Sequence, residues 1–368
     1  MKSTLRSLSL LGLALSPLLG MVGCAKSASD DFTVGFIYID RKDDYGYSQA
    51  HAQGAAAVKA KVPGVKILEV AKVPETDAAQ QTMKTMIDVE GAKVIFASSF
   101  GYYTNHVIPV AKLYPNVKFM HCGGPWKEGV HPDNCYTYFG YIDECQYVSG
   151  IVAGLTTKSN KLGFVAAKPI PQVRRNINAF LLGARSVNPK AEVHVIFTGN
   201  WSLPTEEANA TSILISKGCD VFTCHVDSPK VIVETANKAG KYICGYHANQ
   251  SELAPERYLT GAEWNWEDVY VNYVKKLKAG EKVELYMRGG LKEGIVRMSP
   301  YGPAVSAEAK KAADEAKAKL MKGDFVIFAG PLKDNKGKEV IPRGKKYAQN
   351  DPALEDMDYL VEGVVAAD

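Results

Sequence analysis

The chain has 368 residues, 46% of them hydrophobic and 23% charged, which is enough apolar material for a sizeable core and, by length, for two domains or lobes. Its formal charge is +4, and Lys2 and Arg6 supply two of those charges, so the chain beyond its leader carries about +2. So weak a balance, with no basic stripe interleaved with aromatics, excludes nucleic acid as an expected partner.

The first 23 residues read as a secretory signal: Lys2 and Arg6 precede the apolar run LSLLGLALSPLLGMVG. That run is too short and too poorly flanked to span a membrane and remain there. It ends at Cys24, the expected lipidation site, after the small residues of MVGC. Residues 24–31 are then a lipidated tether, and the mature protein is anchored outside the cytoplasm rather than membrane-spanning.

From Phe32 short apolar runs alternate with helical stretches. VGFIYI, VKILEV, KVIFAS, VKFMHC and CYTYFGYI are expected strands, separated by segments such as AQGAAAVKAK and AAQQTMKTMIDVEG with helical periodicity. DECQYVSGIVAGLTT reads as a helix opening a second unit, in which LGFVAA, VHVIFTG, DVFTCH and KYICGYH repeat the rhythm. Pro204, Thr205 and two acids open one helix of that unit and Ser228-Pro229 another; Gly218 and Gly240 stop them. Tyr258–Glu263 reads as a strand leaving the second unit, followed by a helix, a strand pair or turn over Gly289–Met298, and a solvated helix in SAEAKKAADEAKAKLMKGD. The expected fold is α/β, two parallel-sheet lobes joined by a multi-crossing hinge in the type I periplasmic-binding topology. Residues 32–141 with 258–298 form the first lobe, 142–257 with 299–330 the second, and 331–368 a tail packed on both.

Six cysteines remain after Cys24. Cys122 closes one strand and Cys135 opens the next, which makes them the first pair to consider for a bridge; Cys224 and Cys244 lie on successive strands. Buried thiols are the competing reading for Cys122, Cys135, Cys145, Cys219, Cys224 and Cys244 alike. No cysteine or histidine spacing suits a metal, DNKG has too few oxygen positions for calcium, and no phosphate loop or nucleophile elbow is present. The expectation is a binding protein with no cofactor, not an enzyme.

In a parallel sheet, ligands bind outside the carboxyl ends of the strands. Five loops at such ends carry aromatic, amide, hydroxyl or carboxylate groups: DRKDDYGYS, ASSFGYY, TGNWS, HVDS and HANQ. They suggest one shared pocket.

VGFIYID, DYGYS, ASSFGYY, INAFLLGARSVNP, KGCDVFTCHVDS, GLKEGIVRMSPYGP and EDMDYLVEGV together resemble the basic membrane protein family of lipoproteins, substrate-binding components of ABC importers. The resemblance spans nearly the whole chain from about Phe32. It implies a purine ligand, a nucleobase such as adenine or a nucleoside, a permease and ATPase as partners, membrane attachment through the lipid, and a monomer. A flavin, or a sensing role at the surface, is the alternative within the same fold. In the nucleoside-binding branch an Asp that holds the ribose hydroxyls stands where this chain has His247.

By position in the family pattern Tyr47 and Trp201 are the stacking aromatics, one from each lobe. Base stacking on an aromatic is worth roughly 1–3 kcal/mol. Asp227 is the candidate for the polar edge of the base, with helix capping as its competing role. Asp44 and Tyr45 fill out the first loop, Phe100 stands beside Ser99 in the second, and Ser99, Asn200 and Asn249 are polar candidates that turn or cap chemistry would equally explain.

Overall fold

The computed structural model describes residues 32–366; the signal peptide, Cys24 and the tether lie outside the described residues. The first lobe opens with β1 (Phe32–Ile37), α1 (Tyr47–Lys61), β2 (Val65–Val70), α2 (Asp77–Asp88) and β3 (Val94–Ala97). A wide helical turn, Tyr103–Val107, runs into α3 (Ile108–Leu113), then β4 (Lys118–Cys122) and β5 (Cys135–Gly140). The second lobe follows with α4 (Asp143–Thr156), β6 (Lys161–Ala166), α5 (Pro171–Val187), β7 (Glu192–Phe197) and α6 (Pro204–Ser216). It continues through β8 (Val221–His225), α7 (Lys230–Lys238), β9 (Tyr242–His247) and β10 (Tyr258–Trp264).

The chain then returns to the first lobe for α8 (Trp266–Lys278) and β11 (Tyr286–Gly289), and crosses again to β12 (Val296–Met298) and α9 (Ala307–Lys322). The tail holds β13 (Phe328–Ala329), β14 (Leu332–Lys333), β15 (Glu339–Ile341), β16 (Lys346–Tyr347), α10 (Pro352–Glu355) and β17 (Val364–Ala366). The first sheet runs β11-β5-β4-β3-β1-β2, all parallel. The second runs β12-β10-β9-β8-β6-β7-β17, and only the β10–β12 pair in it is antiparallel.

Three expectations need correcting. Tyr258–Trp264 does not belong to the first lobe: its backbone pairs with β9, and β12 pairs with it in turn, so only α8 and β11 return. Gly289–Met298 is therefore a crossing between sheets rather than a hairpin. The tail also supplies an edge strand, since Val364–Ala366 pairs with β7.

All six described cysteines are free and buried. Register explains why. Cys135 lies opposite Phe119, three residues along β4 from Cys122, a separation of about 10 Å at strand rise and beyond disulfide reach. Cys244 continues the β8–β9 register opposite Thr223, so its side chain and that of Cys224 leave opposite faces.

Both sheets are covered by interlocking apolar side chains, and in the second lobe α4 and α5 pack closely. A Cβ on Gly150 of α4 would meet the Phe180 carbonyl oxygen at 2.0 Å, and one on Gly183 of α5 the Tyr147 carbonyl oxygen at 1.9 Å, so the two helices touch backbone to backbone. The hinge is a bundle of three crossings tied to one another: Asn265 donates its backbone N–H to Ile295, Tyr141 donates to Gly289, and Leu291 donates to the Glu144 carboxylate.

Candidate functional site

Between the lobes lies a small, closed-down cavity of about 30 Å³, lined by Tyr47, Ser99, Phe100, Cys122, Phe139, Gln172, Trp201, His225, Asp227, His247 and Trp264. A volume that small holds little more than water, so a small molecule enters only when the lobes part. Every one of these residues ends a strand or follows a strand's carboxyl end, so the parallel topology alone gathers them.

Tyr47 opens α1. Its hydroxyl donates to the Ser98 carbonyl at 2.7 Å, and its ring meets His51 and His247 edge-on at 4.5 and 5.1 Å. Trp201, half-buried after β7, faces His225 at 6.2 Å and carries the Lys168 ammonium 5.2 Å above its ring. Trp264 lines the same cavity beside Phe139, at 5.2 Å, and continues into a stack with Trp266 at 4.8 Å across Asn265.

Asp227 is 7% exposed, and no hydrogen bond or ion pair to its carboxyl is found among the described residues. It does not cap α7, whose N-terminus begins beyond Pro229 with no side-chain cap. Burial, reinforced by the carboxylates of Asp44, Glu75, Asp40 and Glu207, holds its pKa well above the usual carboxylate range. A buried carboxyl with no hydrogen-bond partner among the described residues, facing a cavity, is left available to a group that enters it.

The histidines supply donors. The Trp264 indole N–H donates to His247 Nδ1 at 2.8 Å, and an indole can only donate, so the neutral imidazole carries its proton on Nε2. That Nε2 has no hydrogen-bond partner among the described residues, although the Val226 carbonyl lies near the ring. Burial, with His225 and His51 nearby, keeps His247 neutral, its pKa well below the ordinary value. Burial likewise lowers His225 to about 3, and the Asn176 amide sits 2.9 Å from its Nδ1.

Of the residues singled out in the sequence, Tyr47, Ser99, Phe100, Trp201, Asp227 and His247 line the cavity, with Phe100 at its mouth, 52% exposed. Ser99 Oγ is held by Glu75 at 2.6 Å. Four candidates lie elsewhere. Asp44 is spent on the start of α1, its carboxylate accepting the N–H groups of Gly46, Ser48 and Gln49. Tyr45 lines a separate outer groove with Asp40, Arg41 and Lys230. Asn200 is exposed and accepts the Trp201 N–H, and Asn249 accepts the Ser251 N–H, so both serve turns. Cys122, Phe139, Gln172, His225 and Trp264 were not singled out, although each follows the same carboxyl-end rule.

The lobes meet directly along the edge of the cavity. The Tyr47 N–H donates to the Asp227 carbonyl at 2.8 Å, and Asp40 Oδ2 accepts from Ser228 Oγ at 2.8 Å and Ser202 Oγ at 3.3 Å. Gln250, fully buried, donates to the Tyr45 carbonyl at 2.7 Å. These contacts close the cavity off from the outer groove.

Two hinged α/β lobes with a ring-lined cavity between their strand ends define a solute-binding protein of the type I periplasmic-binding fold. The solute-binding protein of an ABC transport system from Aeropyrum pernix K1 shares that fold, with a TM-score of 0.69 at 18% identity over 82% of this chain and 93% of its own. Residues 32–326 match the family described as ABC transporter substrate-binding protein PnrA-like, and the chain belongs to that family. A purine-binding protein of Brucella abortus (strain 2308) is 34% identical over 94% of this chain and 96% of its own length. A protein of Haloferax volcanii, named as a candidate ABC transporter glucose-binding protein, is 30% identical over 93% of this chain and 82% of its own. No helix among the described residues is long and apolar enough to cross a membrane.

Proposed function

We propose that the protein captures a purine, a free base such as adenine in the first instance, between its lobes and delivers it to an ABC permease and its ATPase, working as a monomer held outside the cytoplasm by a lipid on Cys24. The observation that carries the ligand is the Asp227 carboxyl, buried among rings and without a partner among the described residues. A flat heterocycle satisfies such a site: its faces pack on aromatic rings and its edge pairs with the carboxyl and with the His247 Nε2–H. A hexose would bring many hydroxyls to an edge where the Asp227 carboxyl and the His247 Nε2–H are the groups left without a partner among the described residues, so most of them would go unpaired. The likeness to a purine-binding protein of Brucella abortus supports the same ligand.

Mass spectrometry of the small molecule released from protein purified under native conditions tests the reading. It should yield a purine, and calorimetry should then rank purines above glucose. Release of a sugar, or tighter binding of glucose than of any purine, would overturn it. The anchor is tested separately in cells: Cys24→Ser should leave the protein unattached.

A further inference from the structure

The far end of the first lobe, opposite the ligand cavity, carries a second large concavity. It is an open groove of about 470 Å³ lined by residues that include Phe32, Lys93, Lys118, Tyr136, Leu277 and Lys282, with Glu281 as its one acid. Phe32, Lys93 and Lys118 are locked side by side at the strand starts: Lys118 donates its backbone N–H to Lys93, and Lys93 to Thr33. The floor is apolar, from Phe32, Tyr136 and Leu277, and the Lys118 ammonium stands 6.0 Å over the Tyr136 ring. None of the three lysines has an ion pair among the described residues.

The surroundings extend the charge. The topology sends the helices of this lobe to end at the same face, where Lys59 closes α1, Lys112 closes α3, and Lys275 and Lys276 close α8. Exposed Leu113 and Val89 stand at the same helix ends. Lysines at helix C-termini are expected from the helix dipole alone. Lys93, Lys118 and Lys282 are not on helices, so the dipole does not account for them. The acids of this end are fewer: Glu90 is engaged by Lys66 at 2.7 Å, Asp88 at the end of α2 accepts the Tyr114 hydroxyl at 2.8 Å, and Asp133, Glu281 and Glu284 remain.

We infer that this basic, apolar-floored end of the first lobe rests on an anionic lipid surface. The position of the chain entry selects that occupant. Phe32 lines the groove, and the segment from Ala25 to Asp31 joins it to Cys24, a span of about 28 Å at full extension. On the anchoring reading, on which this inference rests, the groove stands within that distance of the bilayer while the ligand cavity opens at the opposite end of the same strands. Lysines close to an anionic surface are attracted to it over about a Debye length, and the apolar floor gives inserted acyl or glycerol groups somewhere to pack.

Residues 32–366 contain both sheets and both cores, so a chain starting at Phe32 carries the whole fold. That chain should sediment with vesicles of one part phosphatidylglycerol to two parts phosphatidylcholine, and not with phosphatidylcholine alone. The bound fraction should fall with added salt. Lys93→Glu/Lys118→Glu/Lys282→Glu should reduce partitioning by about tenfold or more while purine affinity and melting temperature stay at the parental values, since none of the three touches the ligand cavity. Equal binding to both vesicle types, or a triple variant that partitions like the parent, would overturn the inference. So would salt-sensitive binding that appears only when the permease is present, which would make the partner a protein. Salt-sensitive vesicle binding by the Phe32 chain, together with a Cys24→Ser protein that behaves in cells like the parent, would retire the anchor and leave this surface standing.

Discussion

Gly46 and Asp227, from opposite lobes, are in backbone contact: a Cβ on Gly46 would stand 2.0 Å from the Asp227 carbonyl oxygen and 2.5 Å from Pro229 Cδ. The same carbonyl accepts the Tyr47 N–H, so the seam between the lobes is also the place where two cavity-lining residues are set relative to each other. Only glycine permits this approach.

Gly46→Ala should therefore oppose closure without disturbing either lobe. Overpacking of this kind costs about 1–3 kcal/mol, so purine affinity is expected to drop about tenfold or more while the melting temperature without ligand stays the same. Solution scattering should show the parent compacting at saturating purine and the variant compacting less. An unchanged affinity would mean that the closed arrangement is not the binding-competent one.

Asp40 tests the same seam from its other side. Its Oδ2 accepts hydroxyls from Ser202 and Ser228 of the second lobe, and it lines the outer groove rather than the ligand cavity. Two hydrogen bonds, each worth about 1 kcal/mol, hold the lobes together only in the closed state. Asp40→Ala should speed ligand release roughly tenfold and leave the association rate nearly unchanged. Stopped-flow measurement would show this, with Trp264 and Trp201 in the cavity wall as the reporters. A variant that slows association instead would place Asp40 on the entry route.

These residues also show what could be read before any coordinates. The strand-end rule pointed to the loops that carry Tyr47, Trp201, Asp227 and His247, all of which line the cavity, because in a parallel sheet the position of a loop follows from the order of apolar runs; the choice of Tyr47, Trp201 and His247 within those loops came from the family resemblance. Short polar residues in the same loops were misleading: Asp44, Asn200 and Asn249 lie close enough to backbone N–H groups to be used locally, and sequence does not show whether a carboxylate turns inward or caps its own helix. Phe139 and Trp264 were hidden for the opposite reason, since an aromatic within or at the end of an apolar run looks like any core residue. The side on which Tyr258–Trp264 falls depends on which strand edge is free to pair, a relation between distant segments that no local pattern encodes.

Glu144 links the hinge to pH. Its carboxylate, buried at the start of α4, accepts the Leu291 N–H, and burial, partly offset by that bond, raises its pKa from 4.5 to about 7. The folded protein thus holds a proton that the unfolded chain has already released. Stability from this group is highest below 4.5, falls as pH rises through the window up to about 7, and is flat beyond. Asp44 and Glu207, also raised to about 7 by burial, act in the same direction. Glu144→Gln keeps an acceptor for Leu291 and removes the titration, so its melting temperature should decline less than the parent's over that window. Parallel pH profiles for the two proteins would show that Glu144 does not titrate there.

The last prediction concerns which purine edge the site prefers. Burial and the neighbouring carboxylates hold the Asp227 pKa well above the usual carboxylate range, and while it keeps its proton the group offers one O–H donor and one carbonyl acceptor. That pair complements the amino edge of adenine, where an exocyclic N–H lies beside a ring nitrogen acceptor. Once ionised, the carboxylate only accepts, and it then suits guanine, whose ring N–H and exocyclic amine are both donors. Adenine should accordingly be favoured over guanine at low pH, and the preference should narrow as pH rises. Asp227→Asn fixes the neutral pattern of one donor and one acceptor, so it should bind adenine at near-parental affinity and show no pH dependence in the ratio. Asp227→Ala should weaken both bases by roughly 1–3 kcal/mol, the cost of leaving their edges unpaired. Trp201→Ala supplies the contrast: it removes a ring face and should weaken adenine, guanine and hypoxanthine alike, by about ten- to a hundredfold. Calorimetry of the parent and the three variants with each base across pH would separate the two effects. A ratio that is constant with pH in the parent, or a Trp201→Ala variant that discriminates more sharply than the parent, would place the base against other walls of the cavity, with Phe139 and Trp264 the next rings to test.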